Sequence, residues 1–517
     1  MADKAVFSEQ INQGYGFKGE FVQIGAAMLD GEVIPGAKIF LPLKTMNRHG
    51  LIAGATGTGK TKTLQMISEF LSDASVPVLL MDIKGDLSGI AATGAVNDKV
   101  KDRYQKMQLD YTPAQFPTEL LSLTGKNGVK LRATVSEFGP VLLSKILGLN
   151  DTQGGVVALI FKYCDDNKLP LLDLKDFIKI LQYIGDEGKA EIEKLYGKIS
   201  TTSTGTILRK VIELQQQGAD IFFGEKSFEV GDLMRVSETG QGMVNILRVT
   251  DIQDRPKLFS TFMLQMLDEL YASSPEEGDL DRPKLVIFID EAHLIFQEAS
   301  NELIQQIETI IKLIRSKGIG IFFCTQNPMD IPASVLGQLG MKIQHALRAF
   351  TAADRKTIKQ TADNYPETSF YRTEDLITQL GIGEALVTLL NEKGIPTPLA
   401  HTMLCSPRSR MDILSPDEIN TINAGSKLVQ KYNADIDSNS AYEMLNEKLN
   451  DAQHNSETEK KTGQKAAKPE PTAFEKITNN SIVKSMARTA GNGIVRSLLG
   501  VLGLGGRASS SRKKSWF

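Results

Sequence analysis

Only three cysteines, Cys164, Cys324 and Cys405, occur in the 517 residues, and no two of them form a CxxC pair. An odd, widely spaced set excludes a disulfide framework and a zinc knuckle, and suits a reducing cytoplasm. The five histidines, His49, His293, His345, His401 and His454, supply no i, i+4 pair and no neighbouring cysteine, so no structural metal site is expected. No apolar run approaches the roughly 18 residues a spanning helix needs. Residues 1–20 lack a basic start followed by an apolar stretch, so neither a transmembrane segment nor secretion is expected. Charge of one sign is missing too: the net charge is −3, which leaves any nucleic-acid footprint to a local channel or to one formed on assembly.

What is present is an ordinary globular composition, 41% hydrophobic and 23% charged, long enough for two to four structural units. Residues 1–45 read as a short β-rich leader, with runs such as Phe21-Val22-Gln23-Ile24 between Gly and Pro. From Leu51 the order becomes strand, glycine loop, amphipathic helix and strand, a βαβ unit with a parallel sheet. Residues 100–240 read as a mostly helical insertion. Apolar runs at 243–247, 285–289, 319–324 and 342–347 then return to the sheet, and 385–390 with 398–404 form a closing hairpin. The core is expected to span 46–410. A helical extension (411–434) and a flexible linker (435–475), rich in Asn, Ser, Glu, Lys and Gln, follow it. The tail, 476–517, holds eight Lys or Arg and no acid, +8 on a chain otherwise −11. Its apolar and basic residues alternate, as in Lys484, Arg488 and Arg496, and suit phosphates, an anionic membrane surface or docking on the core.

Gly54-Ala55-Thr56-Gly57-Thr58-Gly59-Lys60-Thr61 matches GxxxxGK[ST]. Glycines at these positions let backbone N–H groups point inward and pass close to phosphate oxygens, where a Cβ would obstruct. Lys60 is expected on the β and γ phosphates of ATP, and Thr61 on Mg²⁺. The helix that starts there directs its N-terminal partial charge at the same anions. Far downstream, Leu285-Val286-Ile287-Phe288-Ile289 runs into Asp290-Glu291. Two carboxylates thus leave the C-terminal end of a buried strand, where α/β sheets bind ligands. Asp290 suits the Mg²⁺ shell and Glu291 the base that orients water, so hydrolysis is expected rather than passive binding. Asp290-Glu291-Ala292-His293 also spells the DEAH box of a helicase superfamily, but the Ser-Ala-Thr element and arginine motif of those enzymes are missing. Instead Ile321-Phe322-Phe323-Cys324 ends in Thr325-Gln326-Asn327-Pro328, which puts the amide of Gln326 at a strand tip to sense the γ-phosphate or the water.

Taken in order, these pieces resemble the HerA and FtsK clade of ring-forming motor ATPases, bacterial HerA-like proteins above all. The match begins at Asn47-Arg48-His49-Gly50, takes in the glycine loop, and continues through Asp82-Ile83-Lys84-Gly85-Asp86-Leu87-Ser88-Gly89. Asp290-Glu291-Ala292-His293, Arg315-Ser316-Lys317-Gly318 and Thr325-Gln326-Asn327-Pro328 complete it. The resemblance implies an α/β P-loop NTPase fold, RecA-like and of the additional-strand catalytic-glutamate type, with a mainly parallel sheet and a helical insertion. It implies ATP hydrolysis coupled to DNA translocation or helicase action by a homo-oligomer, commonly a hexameric ring, in which a neighbouring subunit completes each site. Arg315 matches the arginine before the glutamine strand and would offset charge on the transferred phosphoryl group, with Arg48 and Arg348 as further candidates. Asp82, ending the second strand, stands near the Mg²⁺ shell. A leader of about 45 residues is short for the small barrel of many HerA proteins, so a nuclease or other partner protein is not specified. Two other classes stay open: an ATP-dependent switch or scaffold that moves nothing, and a peptide-moving or secretion-type ATPase.

Overall fold

Twelve strands make one sheet in the computed structural model, which describes residues 3–462 apart from 251–254, 279, 297–300, 435 and 437. They are β1 (Phe21–Leu29), β2 (Glu32–Pro42), β3 (Gly50–Ala53), β4 (Val78–Asp82), β5 (Thr118–Ser122) and β6 (Val129–Lys130), followed by β7 (Val244–Arg248), β8 (Leu285–Ile289), β9 (Ile319–Thr325), β10 (Met341–Gln344), β11 (Glu384–Thr388) and β12 (Ala400–Leu404). The order across the sheet is β2-β1-β12-β11-β10-β3-β9-β8-β4-β7-β5-β6. From β10 to β6 every pairing is parallel, and β11, β12, β1 and β2 close one edge antiparallel. The fold is thus the expected α/β type with a mainly parallel sheet. The apolar runs β4, β8 and β9 are buried at every position, as strands covered on both faces must be.

Two units divide the chain. The first comprises the described residues of Met1–Ala133, Lys145–Gly148 and Ile212–Asp437, and it contains the sheet. The second comprises Thr134–Ser144, Leu149–Val211 and the described residues from Ser438 on. It is helical, with Phe161, Phe177, Ile180 and Ile184 in its core. Asn150 and Asp173 start two of its helices with capping boxes, which satisfy N-terminal backbone donors on both sides of each cap. Among the described residues no helix is long and apolar enough to cross a membrane.

Three boundaries differ from the sequence reading. The 1–45 segment is no separate leader. It opens with the helix Lys4–Gly14, whose Phe7 and Ile11 are buried in the core that also holds Ile52 and Leu80. Tyr15 Oη lies 2.8 Å from Val387 O and 2.9 Å from Pro398 O. The insertion is also narrower than 100–240, because β5 and β6 belong to the sheet and the unbroken succession of helices runs only from Val135 to Gln216. Finally, where a flexible linker is expected at 435–475, Ala441–Thr462 is a helix. Ser440 and Glu443 cap its start, and the Asp176 carboxylate accepts the Tyr442 N–H at 2.8 Å. Few of its positions are buried, Ala441 and Leu445 among them, so its composition reads as polar. The tail at 476–517 lies outside the described residues.

Ahead of β3, the His49 ring joins two elements. Its Nε2 lies 2.7 Å from Ile311 O at the end of the helix Asn301–Ile314, and its Nδ1 accepts the Ile321 N–H of β9 at 3.0 Å. These partners define the neutral tautomer, protonated at Nε2, and burial pushes the pKa down to about 4. The unfolded chain therefore binds a proton near pH 6.5 that the folded chain refuses. The stabilisation is complete above pH 6.5 and is lost as the pH falls toward 4, by up to about 3 kcal/mol. Chemical denaturation of His49→Gln should show a shallower loss of stability over that interval than the unmutated protein. Equal slopes would contradict this role.

The N-terminal edge is tested by Gly25, where a Cβ would stand 2.2 Å from Met403 O of β12. Gly25→Ala should cost about 1–3 kcal/mol through forced separation of β1 and β12. Gly36→Ala, with nothing within 4 Å of the new Cβ, should be close to neutral. Similar stability of the two variants would mean that this edge is not packed as described.

Candidate active site

The C-terminal ends of β3, β9 and β8 lie side by side, with Ala53 opposite Thr325 and Ile289 opposite Phe323. Whatever follows each strand is thereby brought to one edge: the 54–61 loop after β3, Gln326 after β9, Asp290 and Glu291 after β8. β9 is the strand inserted between the loop strand and the carboxylate strand, which makes Gln326 the residue between the two.

The loop is suspended by its backbone. Gly54 N–H donates to Thr325 O at 3.2 Å, Ala55 N–H to Ala346 O at 2.8 Å, and Thr58 O accepts the Gly383 N–H at 3.0 Å. Gly54, Gly57 and Gly59 have φ of 153°, 78° and 111°, values that side chains rarely adopt. At Gly54 a Cβ would also stand 2.5 Å from that of His345. His345 is fully buried beneath the loop, with Nε2 3.0 Å from Thr63 Oγ1. Lys60 starts the helix Lys60–Asp73, and its Nζ donates to Gly54 O at 2.6 Å and Ala55 O at 3.3 Å. Burial lowers its pKa, while Glu291 and Asp290 pull in the other direction. A buried ammonium held by its own loop, with backbone N–H groups at a helix start, is the chemistry of a polyphosphate site.

Asp290 is 2% exposed, and its Oδ1 accepts the Glu291 N–H at 3.0 Å. Oδ2 is buried with no hydrogen-bond partner. Burial, then the Glu291 charge, raise its pKa to about 7. An orphaned, desolvated carboxylate oxygen fits a cation. Among the described residues no group of three or more His, Cys, Asp or Glu side chains is placed to hold a metal ion. Mg²⁺ takes one or two carboxylates from a protein and the rest of its shell from water and substrate phosphates. Asp290 and the Thr61 hydroxyl would hold it.

Glu291 sits at φ 46°, a strained backbone for a residue with a side chain. Its carboxylate meets the Lys84 ammonium in a short contact. Gln326 Nε2 lies 3.4 Å from both of its oxygens, and His293 Nδ1 is 3.4 Å from Oε2. Burial alone would raise its pKa, but the bond and charge of Lys84, with Gln326 and His293, together outweigh burial, and the net shift is downward. Glu291 is thus ionised and fixed. Through its other end, Gln326 Oε1 lies 3.3 Å from Thr56 Oγ1 of the loop. The line Lys84, Glu291, Gln326, Thr56 joins the second-strand turn, the carboxylate strand, the inserted strand and the phosphate loop.

Lys84 is the residue that sequence reasoning did not assign. The signal was its place in Asp82-Ile83-Lys84-Gly85-Asp86, two residues beyond β4, the strand paired with β8. Asp82 has a different task from the expected Mg²⁺ contact. Its Oδ1 accepts N–H groups of Gly85 and Asp86 at 2.7 and 3.1 Å, and Oδ2 accepts that of Leu87 at 3.1 Å. That carboxylate folds the turn that carries Lys84 to Glu291. Arg315 and Arg48 are not brought to the site of their own chain. Arg315 precedes β9 and Arg48 precedes β3, and Asn47 Nδ2 lies 3.4 Å from Arg315 O. They stand at the opposite end of these strands from the loop, and β9, with seven residues, is roughly 20 Å long. Arg348, beyond β10, donates to Thr378 O at 2.6 Å.

A family model described as Helicase HerA-like C-terminal matches residues 28–509. The DNA double-strand break repair helicase HerA of Sulfolobus acidocaldarius is 22% identical over 358 residues, 68% of this chain and 64% of the relative. The probable helicase MJECL08 of Methanocaldococcus jannaschii is 26% identical over 392 residues, 69% of this chain and 66% of the relative. This chain thus spans just under two thirds of the length of either relative. Among solved structures, the plasmid coupling protein TrwB in complex with the ATP analogue ADPNP aligns with a TM-score of 0.48 at 14% identity, covering 77% of this chain and 99% of that one. With the family match running over nearly the whole sequence, the chain belongs to the HerA-like helicase C-terminal family.

Proposed function

We propose that this protein hydrolyses ATP with Mg²⁺ and uses the energy to move along DNA, as a cytoplasmic homo-oligomeric, helicase-like motor. The observation that carries hydrolysis is the ionised Glu291 held between Lys84 and Gln326, beside the unpartnered Asp290 Oδ2 and within reach of the phosphate loop. DNA as the track is supported by the family and by relatives named as helicases.

Bound Mg²⁺ would supply charge neutralisation on the phosphate oxygens. Lys60 and the loop N–H groups grip the β and γ phosphates. Glu291 accepts a hydrogen bond from a water molecule, aims an oxygen lone pair at the γ-phosphorus and receives the proton as the new P–O bond forms and the bond to the β-phosphate oxygen breaks. The Gln326 amide, anchored on Thr56, registers whether the γ-phosphate is present and holds the water from its other side. Such positioning and charge stabilisation is what phosphoryl transfer demands of a protein. Arg315, remote from its own site, serves the loop of a neighbouring copy, in a ring of six subunits that close head to tail.

Glu291→Gln should bind ATP with unchanged affinity and lose about 10²–10⁴ in turnover, while Lys60→Ala should lose nucleotide binding itself. Turnover by Glu291→Gln near the unmutated rate would remove its role as base. Arg315→Ala should bind ATP normally and hydrolyse it on the order of 10³-fold more slowly. In mixtures with unmutated subunits, activity should fall out of proportion to the variant fraction. Strict proportionality would rule out a shared site.

A further inference from the structure

The site has a direction across the sheet. Asp290, Glu291 and Gln326 all stand on the β9 and β8 side of the loop strand, so the terminal phosphate faces that flank. A triphosphate laid along the loop with that end fixed carries its nucleoside toward the opposite flank, where β10 and β11 lie.

On that flank the turn before β11 touches the loop directly. Gly383 N–H donates to Thr58 O at 3.0 Å, and its Cα lies 3.4 Å from where a Cβ on Gly59 would stand. The turn is fastened from behind by one guanidinium. Arg103 Nη2 donates to Ile382 O at 2.8 Å, and Nη1 lies 3.1 Å from Gly383 O and 3.0 Å from Leu404 O. The Glu384 carboxylate accepts the Gly381 N–H at 3.0 Å and meets His401 Nε2 at 3.0 Å. Apart from the Glu384–His401 contact, each of these bonds holds backbone, and the side chain the turn presents, Ile382, is 75% exposed. An aliphatic side chain on a loose turn would lose contact energy to ordering. On this turn the ordering cost is already met before anything binds.

Resting on the ATPase reading above, we propose that the 381–383 turn is the nucleobase contact of this site, with Ile382 packed on the flat apolar face of the base. The carbonyls of Ile382 and Gly383 are engaged by Arg103, so the contact is van der Waals and hydrophobic, not a hydrogen-bonded readout of base edges.

The test compares two probes on the full-length chain with Mg²⁺: a non-hydrolysable ATP analogue, and inorganic tripolyphosphate, which has the phosphates and no base. Isothermal titration of the unmutated protein should give tighter binding of the analogue. Ile382→Ser should weaken the analogue about tenfold and leave tripolyphosphate unchanged, which also shows that the loop is intact. Unchanged affinity for the analogue would overturn the proposal. An equal loss for both probes would overturn it as well, because Ile382 would then act on the phosphate loop and not on the base. If the unmutated protein bound neither probe, the ATPase reading itself would fall and take this inference with it.

Discussion

Parallel pairing of β3, β9 and β8 is the constraint on which the site depends. None of the chemistry resides within these strands. It sits on what immediately follows each of them, and the pairing registers Ala53 with Thr325 and Ile289 with Phe323 bring the three endings to a common edge. A one-residue slip would turn each strand over and send Gln326 away from both Thr56 and Glu291. The runs β8 and β9 are buried at every position, so such a slip would force close-packed side chains on both faces to repack. Close backbone approaches tighten the same arrangement from the far end: a Cβ on Gly320 in β9 would lie 2.2 Å from Met46 O.

Electrostatics then divides labour between two adjacent carboxylates. Asp290 and Glu291 are neighbours, both nearly buried, yet their environments push them apart. Asp290 has only a backbone donor and is driven upward by burial and by the next charge, whereas Glu291 has the Lys84 ammonium and is held ionised. Adjacent acids whose surroundings separate them in this way are suited to different tasks, which in the proposed reaction are those of a cation ligand and a water-orienting base. The Asp82 turn is what makes the separation stick, because it spends a whole carboxylate on folding the segment that delivers Lys84.

Much of this was legible in the sequence because it is local. The glycine loop, the apolar run ending in Asp290-Glu291 and the Gln326 strand tip each carry their meaning within about ten residues. The parallel sheet followed from the alternation of such runs with amphipathic helices. What escaped was non-local or compositionally silent. Lys84 reads as one charge in a turn until the strand order puts β4 beside β8. The first strands read as a leader because their partner, β12, is nearly 380 residues away. The helix Ala441–Thr462 has few buried positions and so a linker-like composition. Arg315 and Arg48 precede β9 and β3 and so lie at the far end of the sheet from their own chain's loop, which is compatible with the expectation that a neighbouring subunit completes each site.

The claim that joins these parts is that hydrolysis at this edge drives movement on DNA. The most direct measurement is the steady-state rate of ATP hydrolysis by the full-length protein, with and without duplex DNA at low ionic strength, where phosphate contacts are strongest. The account predicts faster turnover with DNA, and a loss of that stimulation as salt rises. An unchanged rate together with no detectable DNA binding would contradict it.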